Sequence, residues 1–193
     1  IVLSNPNLVL GTTYTWTAVG TANVGGYSDD LSGTLSVISQ VLTTDDTQGS
    51  VTYTITPTSG AGCAGASVVV VVTVNPKPNA SALDETICSG TITNIAITTP
   101  NGVAGTTYTW VVSSNPGGVV GAGPGSGALI AQTLTNPTNV TRTVTYTITP
   151  TSGAGCVGPT FDVDAIVDPI PVLNNPAPSP ICSGATFNFS PGS

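Results

Sequence analysis

The 13-residue string VTYTITPTSGAGC occupies residues 51–63 and, letter for letter, residues 144–156. GTTYTW recurs at 11–16 and 105–110, and ICSG at 87–90 and 181–184. The spacing is 93 or 94 residues each time. A fixed internal period decides architecture ahead of any local assignment, and this one is the length of a single β-sandwich. Boundaries fall in Asn75-Pro76-Lys77-Pro78 and Asp168-Pro169-Ile170-Pro171, where alternate prolines remove ladder donors and hold the chain extended. The expected organisation is residues 1–78 as a repeat lacking its first strand, 79–172 as a complete repeat, and 173–193 as the start of a third. No initiator Met or signal-peptide pattern opens the sequence, so it is expected to be a window on a longer array.

Residue choice points to strands. Charged residues make up 6% of the chain, against about 25% in an ordinary globular domain. Thr, Ser and Asn supply the polarity instead, and β-branched Thr among Val and Ile disfavours long helices. In the complete repeat, strands are expected at 93–98 (B), 106–113 (C), 129–134 (a middle strand), 141–149 (F) and 161–167 (G), separated by Gly, Pro and Asn clusters. On strand F, Val144, Tyr146 and Ile148 share one face and Thr143, Thr145, Thr147 and Thr149 the other, the alternation of a sheet wet on one side. The fold class is all-β, tandem immunoglobulin-like sandwiches.

Tyr108 and Trp110 alternate in the same way with Thr107 and Thr109. Trp110 and its counterpart Trp16 therefore fall where an immunoglobulin-type core buries a tryptophan. With Tyr53 and Tyr146 they are expected in the core, in preference to a sugar-stacking platform.

Cys63, Cys88, Cys156 and Cys182 occupy the same two positions of the repeat. Proximity along the chain would pair Cys63 with Cys88. Strand G, however, runs to the C-terminal end of a sandwich, which places the F to G loop at the opposite end, beside the start of strand A. Cys88 is then expected to bond Cys156, with Cys63 about 25–35 Å from Cys88 and beyond the roughly 7 Å limit between bonded Cα atoms. Cys63 and Cys182 are expected to find partners outside this sequence. A loop of this length contributes about 4 kcal/mol in the chain-entropy description and implies an oxidising compartment. Without a His or a CxxC pair, metal binding by these thiols is disfavoured.

Composition also excludes functions. Two basic residues, Lys77 and Arg142, stand against nine acidic ones, so no basic surface can neutralise phosphates and nucleic acid is not a partner. The longest apolar run, residues 68–72, fits a buried strand and falls far short of a membrane helix. General acid-base or triad chemistry finds no His and no activated nucleophile, so no enzyme is expected; Asp162 and Asp164 on one face of strand G read as solvated. Asp29-Asp30, Asp45-Asp46 and above all Asp84-Glu85, expected at a domain junction, are the candidate calcium carboxylates, although none matches a metal-loop spacing. The sequons at Asn79, Asn139 and Asn188 carry little weight in Thr-rich sequence.

ICSG opening a repeat, GTTYTW on strand C, YTITPTSGAGC through strand F and VTVNPKP closing the domain resemble, over the whole chain, the PKD-like, immunoglobulin-like repeats of very large cell-surface adhesins from gliding bacteria. The resemblance implies export by the type 9 secretion system, an extracellular location on the bacterial surface, and outer-membrane motility components as partners beside neighbouring repeats. Three functions follow as expectations: a stiff stalk presenting an adhesive tip, repeats that themselves bind carbohydrate or cell-surface ligands, or an accessory region of a secreted hydrolase whose catalytic domain lies elsewhere.

Overall fold

The computed structural model describes residues 1–172 and 180–187. Most of the expected third repeat (173–193), including Asn188, lies outside the described residues. What is described is all-β, organised as two copies of one sandwich.

The first repeat contains β1 (Thr13–Gly20), β2 (Val24–Gly25), β3 (Thr43–Thr44), β4 (Gly49–Thr58) and β5 (Val68–Val74). Its main sheet runs β1-β4-β5, antiparallel throughout. β2 pairs with β3, and Val2 bridges Val37 on the opposing layer. Val51, Tyr53 and Ile55 point inward from β4 to join Trp16, Val24 and Ile38 in the core. Among the described residues nothing pairs with the outer edge of β5, where Val68, Val69 and Val71 are exposed.

The second repeat contains β6 (Glu85–Cys88), β7 (Thr91–Ile92), β8 (Ile95–Ala96), β9 (Thr107–Ser114), β10 (Gly125–Ser126), β11 (Leu129–Ile130), β12 (Thr133–Leu134), β13 (Arg142–Thr151) and β14 (Phe161–Asp168). One sheet runs β10-β9-β13-β14-β6, and its last pair, β14 with β6, is parallel. The facing layer is made of the short pairs β8-β11 and β7-β12. Between them lie Val144, Tyr146 and Ile148 of β13, Val163, Ala165 and Val167 of β14, Tyr108 and Trp110 of β9, and Ile95, Ile130 and Leu134 of the facing layer. Each fully buried Val, Ile or Leu contributes about 1.5–3 kcal/mol by leaving water, so the aliphatic residues of this core, packed with its aromatic rings, are a main source of the repeat's stability.

The expected strands C, F and G appear as β9, β13 and β14. Strand B and the middle strand do not run continuously; each is broken into two-residue pieces. The cause is Thr93, which is buried between them. Its hydroxyl donates to Ile130 O at 2.8 Å and accepts from Gln132 N at 2.9 Å, while Thr93 N donates to Gln132 O. A side-chain hydroxyl thus replaces a ladder carbonyl, satisfying the buried backbone without a continuous strand.

Gln132 also locks the layers together. Its Oε1 accepts from the Tyr146 hydroxyl at 2.7 Å and from Gly123 N at 3.1 Å, while its Nε2 donates to Gly123 O at 2.9 Å. Gln40 does the same in the first repeat, accepting from the Tyr53 hydroxyl at 2.7 Å and pairing with both backbone groups of Ser28. Burial pushes the Tyr146 phenol up to about 12 and raises that of Tyr53 as well. The tryptophans differ: the Trp16 indole donates to Ser28 O at 3.2 Å, whereas the buried Trp110 indole N–H finds no acceptor among the described residues.

Candidate functional site

The acidic residues are dispersed. Asp162 and Asp164 lie on the outer face of β14, where they accept from Thr147 Oγ1 at 2.5 Å and Thr145 Oγ1 at 2.7 Å across the ladder. Asp30 and Asp45 close local turns. The Ser32 hydroxyl and then the Ser32 N–H hold the Asp30 carboxyl below its ordinary value, and Thr47 does the same for Asp45. Asp29 Oδ1 accepts from Ala18 N. No group of three or more His, Cys, Asp or Glu side chains suited to a metal occurs among the described residues.

The expectation that Asp84-Glu85 sits at a domain junction is corrected by the topology. Asp84 accepts from Asp164 N at 2.9 Å, Glu85 accepts from Asn94 N at 2.7 Å, and Glu85, on the edge strand, pairs with Ala165 partway along β14. Six residues of extended chain, 79–84, carry them away from the boundary at about 3.3 Å each.

The same run of chain overturns the expected Cys88 to Cys156 bond. Cys88 pairs with Asp168 at the C-terminal end of β14, whereas Cys156 lies in the β13-β14 loop at the other end of that sheet. The 10 residues of β13 span this distance, about 30 Å, several times what a disulfide allows. A position early in the repeat is not early in space, because residues 79–88 traverse the length of the domain before Cys88 is reached. No two of the four cysteines are bonded to each other; Cys63, Cys88 and Cys182 are exposed and Cys156 is half-buried.

The residues brought together from both repeats lie at the junction. Asn101, in the turn before β9, donates through Nδ2 to Asp46 Oδ1 of the first repeat at 2.9 Å and to Lys77 O of the linker at 2.9 Å, and its Oδ1 accepts from Asn79 N at 3.0 Å. Gln48 Nε2 donates to Asn75 Oδ1 at 2.7 Å. Cys156 Sγ stands 3.8 Å from Asn75 O. Pro78 is fully buried, and Gly158 packs so closely on its carbonyl that a Cβ there would lie 1.8 Å from the oxygen.

The loop carrying the thiol is rigidly specified. Ser152 N donates to Cys156 O, the Ser152 hydroxyl accepts from Cys156 N at 3.1 Å, and Gly155 takes φ 82°, a left-handed value that glycine adopts without steric cost. Ser59, Gly62 and Cys63 repeat the arrangement, which explains why the string SGAGC is identical in both copies. Asn101 and Gln132 were not anticipated from sequence. Both had a signal: Gln40-Val41-Leu42 and Gln132-Thr133-Leu134 place the same amide at the same point of each repeat, and Pro6-Asn7 and Pro100-Asn101 do so ahead of the two GTTYTW strings.

The junction therefore joins the C-terminal pole of one sandwich to the N-terminal pole of the next through polar side chains, a linker and a thiol. No helix among the described residues is long and apolar enough to cross a membrane. No curated protein matches the chain. The family model of the PKD-like domain matches residues 3–78 and again residues 85–171. That is a non-catalytic, immunoglobulin-type module associated with extracellular structural or adhesive roles. By both matches, the chain belongs to the PKD-like domain family.

Proposed function

We infer that these repeats form the stalk of a secreted bacterial cell-surface adhesin, spacing an adhesive end from the cell, with gliding motility and type 9 export as the setting the sequence resemblance implies. The observation that carries the reading is the junction: Asn101, Lys77, Asp46 and Cys156 bring opposite poles of successive repeats together. That favours serial stacking over side-by-side association. Low charge suits a spacer that is not built to capture a charged ligand, and a short Pro-containing linker restrains the junction.

Small-angle scattering of the full chain tests this. A compact globule of this length has a radius of gyration of about 16 Å. Two sandwiches stacked along strands of 10 residues give a particle about 75 Å long at ~3.3 Å per residue plus loops, and a radius of gyration of about 22 Å. A value near 16 Å overturns the stalk reading, as does saturable binding of the chain on a glycan array, which transfers the role to ligand recognition by the repeats themselves.

A further inference from the structure

We propose that successive repeats are joined covalently: the cysteine ending the opening strand of one repeat (the Cys88 position) bonds the loop cysteine of the repeat that follows (the Cys156 position).

Asn75 and Asp168 are the same position of the repeat. Val72 pairs with Val51 as Ala165 pairs with Val144, and each residue lies three places further on. In the complete repeat, Asp168 pairs with Cys88, and the carbonyl of Asp168 accepts from Ser89 N at 2.8 Å. The opening-strand cysteine thus lies one strand spacing, about 4.8 Å, from that position. At the junction, the carbonyl of Asn75 is the atom beside which Cys156 Sγ sits, at 3.8 Å. The two cysteine positions thus converge on one position of the repeat, the residue that closes the last strand. In a repeat possessing both its opening strand and a successor, the two cysteines are expected to meet, with their Cα atoms inside the range of about 4.4–6.8 Å that a disulfide spans.

Exposure fits as well. Ile87 packs on the core, so the alternation of β6 turns Cys88 outward, where it is exposed. Cys63 and Cys182 occupy the same two positions in their own repeats, so one geometry accounts for all four thiols without an intradomain bond. Formation of the link converts two thiols to one disulfide, releasing two protons and two electrons. A low-molecular-weight disulfide such as oxidised glutathione accepts both and leaves as two thiols.

The test uses the full chain preceded by a second copy of residues 79–94, joined directly to Ile1, which aligns with Ile95. Ile38 N donates to Ile1 O, and Ile130 pairs with Ile95, at the equivalent place. The addition gives the first repeat an opening strand with its own cysteine. After oxidation in a glutathione buffer, a non-reducing peptide map is expected to link the added cysteine to Cys156 in most molecules, and Cys156→Ser is expected to abolish that bond. A folded protein, judged by buried emission from Trp16 and Trp110, in which the added cysteine bonds Cys63 or stays free beside a free Cys156 overturns the proposal. Should the extension impair folding, a synthetic peptide of residues 79–94 offered to the unextended chain in the same buffer reads the same pairing; selective capture by Cys156 supports it, and capture by the four thiols without preference overturns it.

Discussion

The Gln132 clasp separates two sources of stability that usually travel together. Tyr146→Phe removes one hydroxyl from a fully buried ring, but Gln132 Oε1 keeps its second donor, Gly123 N. The expected cost is one net hydrogen bond, about 1 kcal/mol. Gln132→Ala is worse although Gln132 is only half-buried. It strands the Tyr146 hydroxyl, which water cannot reach, and releases both backbone groups of Gly123. An orphaned buried polar group costs about 1–3 kcal/mol, so about 2.5 kcal/mol is expected in total. The double variant has no buried hydroxyl left to strand and should cost about 2 kcal/mol, well below the sum of the singles. Each repeat carries one tryptophan, so urea unfolding of the second can be followed through Trp110 in a Trp16→Phe background. The reasoning is refuted if the two substitutions add, or if Gln132→Ala costs no more than Tyr146→Phe.

Further outcomes follow from other features. Tyr146 holds its proton in the folded state up to about 12 and in the unfolded state to about 10; the stabilisation it gives is complete below pH 10 and lost as the pH rises from 10 to 12, by ~2–3 kcal/mol, and alkaline melts of Tyr146→Phe should lack that step. Gly158→Ala is expected to destabilise the second repeat by at least about 2 kcal/mol because its Cβ meets the backbone oxygen of Pro78 at 1.8 Å, whereas Gly65→Ala meets Pro57 Cγ at 3.0 Å and should cost less; equal losses in thermal melts would count against the close approach. With Asp84 and Glu85 each accepting a backbone N–H, a chelator is expected to leave the melting temperature unchanged, and a calcium-dependent rise would restore those carboxylates as ligands.

The parts of the fold that could be read from residues were those with strict period-2 chemistry. β13 declares itself through Val144, Tyr146 and Ile148 against a Thr face, and β9 through Tyr108 and Trp110. β6 escaped because Glu85-Thr86-Ile87-Cys88 offers one apolar residue to the core and opens on a charged residue directly after Asp84, a pair that reads as loop. Its pairing depends on β14, far along the chain. The broken B strand escaped for a related reason: Thr93 looks like any strand Thr, and only its burial beside Ile130 and Gln132 turns its hydroxyl into part of the ladder. At the junction, the identical SGAGC strings fixed where the thiol loops are but not what they face. The mistaken cysteine pairing came from equating order in sequence with depth along the domain, an error that the parallel β6-β14 pairing makes visible.

That parallel pair also determines how the second repeat would respond to tension along the array. β6 leads in from the linker at one pole and β14 leads out at the other, both running the same way. Pulling the chain ends apart slides the two strands past each other, loading the ladder from Glu85–Ala165 to Cys88–Asp168 together. An antiparallel hairpin pulled at its open end would instead peel one bond at a time. With the cysteines reduced, a short strand of four residues, negligible in area beside the core, thus becomes the element that carries the load, and a link through the Cys88 position would relieve it.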